Sequence, residues 1–174
     1  FTQSRDFMTG FKAKYDVKDW FSVHLSMHAD FYDRFKRHER LDERKKVYKS
    51  CILEPRLTVT SNYFNHHSLI FGIEHTSDEL TSDRFVNRKM TTRALHETEY
   101  FLQDEWTPNT HWLLSTGVRT NFSKAFGFMW MPKLAAKYSL NNHWAFRANY
   151  SMGYRAPSIK ELFFNWDHLG MFQI

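Results

Sequence analysis

"HWAFRANYSMGYRAPSIKEL", His143 to Leu162, sets a strictly alternating run against an irregular one. Trp144, Phe146, Ala148, Tyr150, Met152 and Tyr154 fall on one side of an extended chain. Ala145, Arg147, Asn149, Ser151 and Gly153 fall on the other. Period two sustained over this length means a β-strand with one apolar and one polar face. The pattern recurs upstream. In "WFSVHLSMHADF", Phe21, Val23, Leu25, Met27, Ala29 and Phe31 oppose Ser22, His24, Ser26, His28 and Asp30. In "PKLAAKYSLN", Leu134, Ala136, Tyr138 and Leu140 oppose Lys133, Ala135, Lys137, Ser139 and Asn141.

The 174 residues include 17 Phe, 8 Tyr and 6 Trp. Mean hydropathy is nevertheless negative, so the aromatics are interleaved with polar residues rather than gathered into runs. No window approaches the ~18 apolar residues of a membrane helix. That excludes helical spans but not alternating membrane strands, which evade the test. A single cysteine, Cys51, leaves no internal disulfide and no CxxC metal site. The net charge of +5 is carried by scattered positives with no nucleic-acid module. It fits basic loops near anionic lipid head groups, or a basic lining facing an anionic ligand. The chain starts and stops inside patterned sequence and reads as part of a longer one.

Eight strands are expected, at about 1–15, 19–36, 47–62, 68–79, 96–107, 111–121, 128–140 and 143–156. Most reach or exceed the ~9–11 residues that cross a bilayer when tilted. "DVKD" (16–19), "FNHH" (64–67), "TPNT" (107–110) and "NNH" (141–143) are short polar turns. They alternate with generally longer connections: "KRHERLDERKK" (36–46), "DELTSDRFVNRKMTTRA" (78–94), the compact "NFSKAFG" and the segment after Pro157. Short turns at one rim and loops at the other are the plan of an up-and-down outer-membrane barrel. A soluble sandwich would show shorter strands and Greek-key crossovers. Trp20, Trp106, Trp112 and Trp144 sit beside the short turns, where an interfacial girdle belongs. "EYFLQDEW" resists, because its apolar face of Tyr100, Leu102 and Trp106 carries Asp104 outward with no evident partner.

"YFLQDEW" (100–106), "STGVRTN" (115–121), "PKLAAKYSL" (132–140) and "FRANYSMGYRAPSIKELF" (146–163) occur in that order. Together they resemble the barrel half of TonB-dependent outer-membrane receptors. The match is specific over roughly 95–163 and pattern-level before that. The resemblance implies an all-β, antiparallel meander forming part of a plugged barrel of about 22 strands. Residues 1–174 are then part of the barrel domain, without plug or TonB box. It further implies a Gram-negative outer-membrane location, energy passed on by TonB, and import of a bulky scarce nutrient. The family box maps onto Tyr154, Arg155, Ala156, Pro157, Ser158, Glu161 and Leu162.

Cargo is harder to read. Haem receptors in this family resemble one another in carrying a ligand histidine between two boxes. His168, 11 residues past Pro157, is the candidate axial ligand, with Phe163, Phe164, Trp166 and Phe172 to face a porphyrin. The plain alternative is a loop histidine that only hydrogen-bonds. Haem would be transported cargo rather than a resident cofactor; other iron chelates and cobalamin are the competing cargoes. His24 and His28 share a face but stand about 13 Å apart at ~3.3 Å per residue, too far to share one ion. His66 and His67 belong to a turn; His75 and His96 flank the 78–94 loop, where they either approach a ligand in the mouth or fill its polar rim. "KRHERLDERKK" is a solvated charge run, or else a contact for lipopolysaccharide phosphates or a surface lipoprotein; a haemophore is a further partner expected of the whole receptor. Arg119, Lys133, Lys137, Arg147 and Arg155 are expected to point into the lumen, towards anionic cargo or towards Glu97, Glu99 and Glu105. No GxSxG elbow or telling Ser/His spacing supports an enzyme. A soluble β-rich ligand-binding module is the alternative of another class.

Overall fold

The computed structural model describes residues 2–38, 43–85 and 89–164. Its strands are β1 (Thr2–Lys18), β2 (Phe21–His38), β3 (Glu43–Ser61), β4 (His67–Ser82), β5 (Thr91–Trp106), β6 (Trp112–Ser123), β7 (Gly127–Ser139) and β8 (Ala145–Ser151). A five-residue helix, α1 (Ile159–Phe163), follows. The sheet order is β1 to β8, each strand antiparallel to its chain neighbours. Among the described residues β1 and β8 do not pair, so the sheet is an open arc with two edges, not a closed small barrel.

Strand register puts the alternating apolar sets on one continuous face. Phe7 pairs with Phe31, Phe11 with Met27, Phe71 with Leu102, and Leu134 with Tyr150. These side chains have nothing above them: Phe128, Trp130, Phe146 and Tyr150 are 59–62% exposed. In water so large an apolar patch would drive aggregation; against lipid tails it is the stable arrangement. The opposite face carries rows such as Ser26, Arg56, Glu74, Glu99 and Asn121, in register across five strands. That polar, concave-side surface is the lumen.

Several stretches differ from expectation. Strand β1 continues through most of "DVKD" to Lys18, leaving Asp19 and Trp20 as the turn. The charged stretch 36–46 and the 78–94 segment are largely strand, because β2 runs to His38, β3 starts at Glu43, β4 reaches Ser82 and β5 starts at Thr91. Above the bilayer both faces of a strand are wet, so alternation fades while the backbone ladder continues. The Thr81 and Thr92 hydroxyls still meet across it at 2.8 Å. Strand β8 stops at Ser151 instead of 156, since Met152 N–H bonds Pro132 C=O at 3.0 Å but Pro132 has no N–H to return. Met152 and Tyr154 therefore leave the sheet. Finally, Val47 has no partner in β2, because Arg34 faces Tyr48 while Phe35 faces Lys46. This β-bulge turns both Val47 and Tyr48 inward, where they are 6% and 8% exposed.

No helix is long and apolar enough to cross a membrane, which says nothing of strands.

Candidate functional site at the mouth of the arc

The inward Val47 and Tyr48 start a small core at the long-loop end, completed by Leu80, Phe85, Leu95 and Ile159. Ile159, on α1, is 1% exposed. The family box is what holds it there. Ser158 is the helix N-cap: its Oγ accepts the Glu161 N–H at 3.3 Å, and Glu161 Oε2 accepts the Ser158 N–H at 2.8 Å. This reciprocal capping box satisfies two otherwise orphan amides. Arg155 Nη2 donates to the other carboxylate oxygen, Oε1, at 2.8 Å. Hydrogen bonds from the Ser158 backbone, then its hydroxyl, and the Arg155 guanidinium hold the Glu161 carboxyl below its usual range. Ala156 and Pro157 are half-buried and Leu162 is exposed. Tyr154, half-buried, lines a lumenal groove beside Arg119 and Lys133.

Phe163 and Phe164 both turn towards Phe85, with ring centroids 6.5 and 5.4 Å away. Arg93 lies over Phe163 at 4.9 Å. His168, Trp166 and Phe172 lie outside the described residues, so no geometry is assigned to them.

Beside this core opens a cavity of ≈230 Å³. Four cations line it: Arg34 and Lys36 from β2, Arg84 from the β4–β5 connection, and Lys160 from α1. Tyr48 and Phe164 supply rings, Thr2 and Ser82 hydroxyls, and no carboxylate is among its described liners. Arg34 is positioned by Tyr32, whose hydroxyl accepts from Nη2 at 3.0 Å, and it lies 5.6 Å from the Tyr48 ring centre. Lys160 sits over the other side of the site, 5.3 Å from the same ring. Lys160 also feels the Asp78 carboxylate of β4, but four gathered cations still raise each other's energy, and an anion entering the cavity relieves this. These four residues escape a reading of motifs. The alternation of β2 continued past Asp30 would have placed Arg34 and Lys36 inward, but nothing in sequence brings Arg84 and Lys160 to them.

Deeper in the lumen charges are neutralised. Arg119 reaches Glu99 at 3.4 Å and Arg56 reaches Glu74 at 3.4 Å, both flanking the ring of Phe101. Phe101 lies over Gly72, where any Cβ would collide with its ring. Asn121 bridges Glu97 and Glu99 at 2.7 and 3.4 Å. Lys133, Lys137 and Arg147 share the lumenal face by register, whereas Arg155 is spent on Glu161. No group of metal-ligating side chains occurs among the described residues, and His24 bonds Ser22 instead. His75 and His96 stack at 6.0 Å on the outer face, not in the mouth, with His75 bonded to Thr98 at 2.9 Å. Asp104 does have a partner: His67 Nδ1 at 2.8 Å, with the His67 ring stacked on Trp106 at 5.5 Å.

A lipid-facing meander, an aromatic rim and a capped box at the mouth agree with one family. The model described as TonB dependent receptor-like, beta-barrel, matches residues 1–173. The chain belongs to the TonB-dependent receptor β-barrel family. Its sheet is accordingly part of an outer-membrane barrel of a Gram-negative cell. The iron-regulated outer membrane virulence proteins of two Vibrio cholerae serotype O1 strains are each 24% identical to it over 151 residues, 85% of this chain. The match spans only 22% of the length of those proteins. The siderophore receptor PirA from Pseudomonas aeruginosa superposes on 90% of the chain and 34% of its own, with TM-score 0.57 and 16% identity, which supports the receptor fold.

Proposed function

We propose that the intact receptor imports an anionic ferric chelate of the siderophore kind, and that the cavity among Arg34, Lys36, Arg84 and Lys160 is where that cargo is first held. The observation carrying this reading is the set of four cations around a cavity with no carboxylate among its described liners, with aromatic rings beside it. Carboxylate or catecholate groups would take hydrogen bonds from the two guanidinium groups, and the ammonium groups would add attraction at longer range. An iron-regulated relative and a siderophore receptor of the same fold agree with this cargo class. Energy would come from TonB, through a plug that these strands surround.

Haem is the second reading. It would use His168 as axial ligand, with Trp166, Phe163 and Phe164 nearby. Cobalamin is the third.

Equilibrium titration of the full-length receptor separates the three. Removing Arg34 and Lys160 together (Arg34→Ala, Lys160→Ala) weakens an anionic ferric siderophore by about tenfold or more, taking each charged hydrogen bond at its usual strength. Unchanged siderophore affinity in that variant overturns the proposal. A haemin Soret shift abolished by His168→Ala would establish haem in its place.

A further inference from the structure

Two histidines stand side by side on the outer wall, just above the apolar band. On β4 the outward residues are Leu69, Phe71 and Ile73, followed by His75; on β5 they are Leu102 and Tyr100, followed by Thr98 and His96. Phe71, Leu102 and Tyr100 are 46–48% exposed, as lipid-facing side chains are. His75 stands opposite Thr98 and His96 opposite Ser77, so the two imidazoles are diagonal neighbours. Residues so placed are about 7–8 Å apart along the sheet, within reach of long side chains. The two ring centres are 6.0 Å apart and their planes differ by 10°.

Hydrogen bonding leaves nitrogen lone pairs of this pair unused. His75 Nδ1 meets Thr98 Oγ1 at 2.9 Å. When Nδ1 donates its proton there, Nε2 keeps its lone pair, and no group among the described residues takes it. A polar partner on the far nitrogen is how proteins fix a metal-binding imidazole. His96 is exposed and makes no hydrogen bond among the described residues, so its ring turns freely. Two imidazoles sharing an ion at ~2.0–2.1 Å from each nitrogen have ring centres roughly 5–6.5 Å apart. The observed spacing lies within that span, so rotation of the rings completes the pair without moving a strand. The donors also select the ion. Imidazole suits Cu2+, Zn2+ and Ni2+, with affinity rising towards Cu2+, whereas Mg2+ and Ca2+ require oxygen. No third His, Cys, Asp or Glu joins the two among the described residues, so the other coordination positions face solvent and stay open to an outside donor.

We propose that His75 and His96 bind one divalent transition-metal ion on the outer wall, Cu2+ more tightly than Zn2+ or Ni2+, with Thr98 as the residue that positions His75. The site lies on the opposite side of the wall from the cargo cavity and is independent of it.

The full-length receptor is purified in detergent, stripped with a chelator and titrated with Cu2+, read by calorimetry and by electron paramagnetic resonance. The wild type shows a Cu2+ signal with two coordinated imidazole nitrogens; Zn2+ competes for the site only in excess, and Mg2+ does not compete. His96→Ala loses the two-nitrogen signal and lowers Cu2+ affinity by about tenfold or more. Its side chain is exposed and unbonded, so this variant folds and keeps the test decisive. Thr98→Val lowers affinity by about tenfold while the two-nitrogen signal stays, and Thr98→Ser restores it. His28→Ala, on the lumenal face, changes neither reading. A two-nitrogen signal that survives in His96→Ala, or displacement of Cu2+ by Mg2+, overturns the site. Unchanged affinity in Thr98→Val overturns the positioning role. Siderophore affinity of His96→Ala stays at the wild-type value, which separates this result from the cargo reading.

Discussion

The short-turn rim and the mouth are two ends of the same strands, but different kinds of contact hold them. At the rim, each turn is closed by local bonds, with a few long-range ones such as His111 Nδ1 to Ser139 C=O at 2.8 Å beside them. Asn109 Oδ1 accepts from the His111 and Trp112 amides at 3.0 and 3.1 Å, and Asn141 Oδ1 from those of His143 and Trp144 at 2.9 Å each. Such Asx turns form from a few neighbouring residues. At the mouth, Val47, Leu80, Leu95 and Ile159 come from four separate elements to make one cluster. The rim can lose a turn and keep its neighbours, whereas the mouth assembles as one unit.

That contrast can be broken at its strongest point first. Ile159→Ala opens a void in the mouth cluster and costs about 2–5 kcal/mol of docking of α1. Hydrogen exchange should rise over 155–164 and leave the short turns unchanged; protection equal to wild type at 155–164 would show that the cluster does not hold the box.

At the rim the largest effect belongs to a side-chain pair that is not local. His67→Ala leaves the Asp104 carboxylate without its partner on the lipid side, and its Oδ1 is already buried without a bond. A loss of about 1–3 kcal/mol follows. The double variant with Asp104→Ala recovers most of it, as read by thermal unfolding in detergent. Additive losses would refute the pairing.

Ser158→Ala removes the N-cap and costs about 1 kcal/mol of α1 docking, again measured by exchange over 155–164. The smallest effect is one of pH. A carboxyl whose folded pKa is depressed contributes stability above its unfolded pKa and loses it as pH falls through the folded one. Glu161 therefore keeps α1 capped at neutral pH and lets it loosen only in acid below the ordinary carboxylate range. Exchange over 155–164 in Glu161→Gln should be flat across that acid window; an acid response persisting in this variant would assign the titration to another group.

Much of the architecture was readable because a lipid-facing strand must alternate. Phe7, Met27, Leu102 and Tyr150 each announce their face by parity alone. Parity failed at Val47, where one unpaired residue turns two neighbours the same way. It also failed above the bilayer, where neither face is dry. Asp104 shows the intermediate case. Sequence flagged it as misplaced, but its partner is 37 residues away.

Sequence alone therefore determined the strand count, the alternating connections, the lipid face and the box at Arg155–Leu162. Those follow from period two and from short-range turn chemistry. Only the tertiary structure decided that Ser158 and Glu161 cap a helix whose Ile159 closes the mouth. The same holds for Arg34, Lys36, Arg84 and Lys160 meeting around one cavity, and for His75 and His96 meeting on the outer face. Each depends on register between strands, and register is set by pairing and bulges that no single strand encodes.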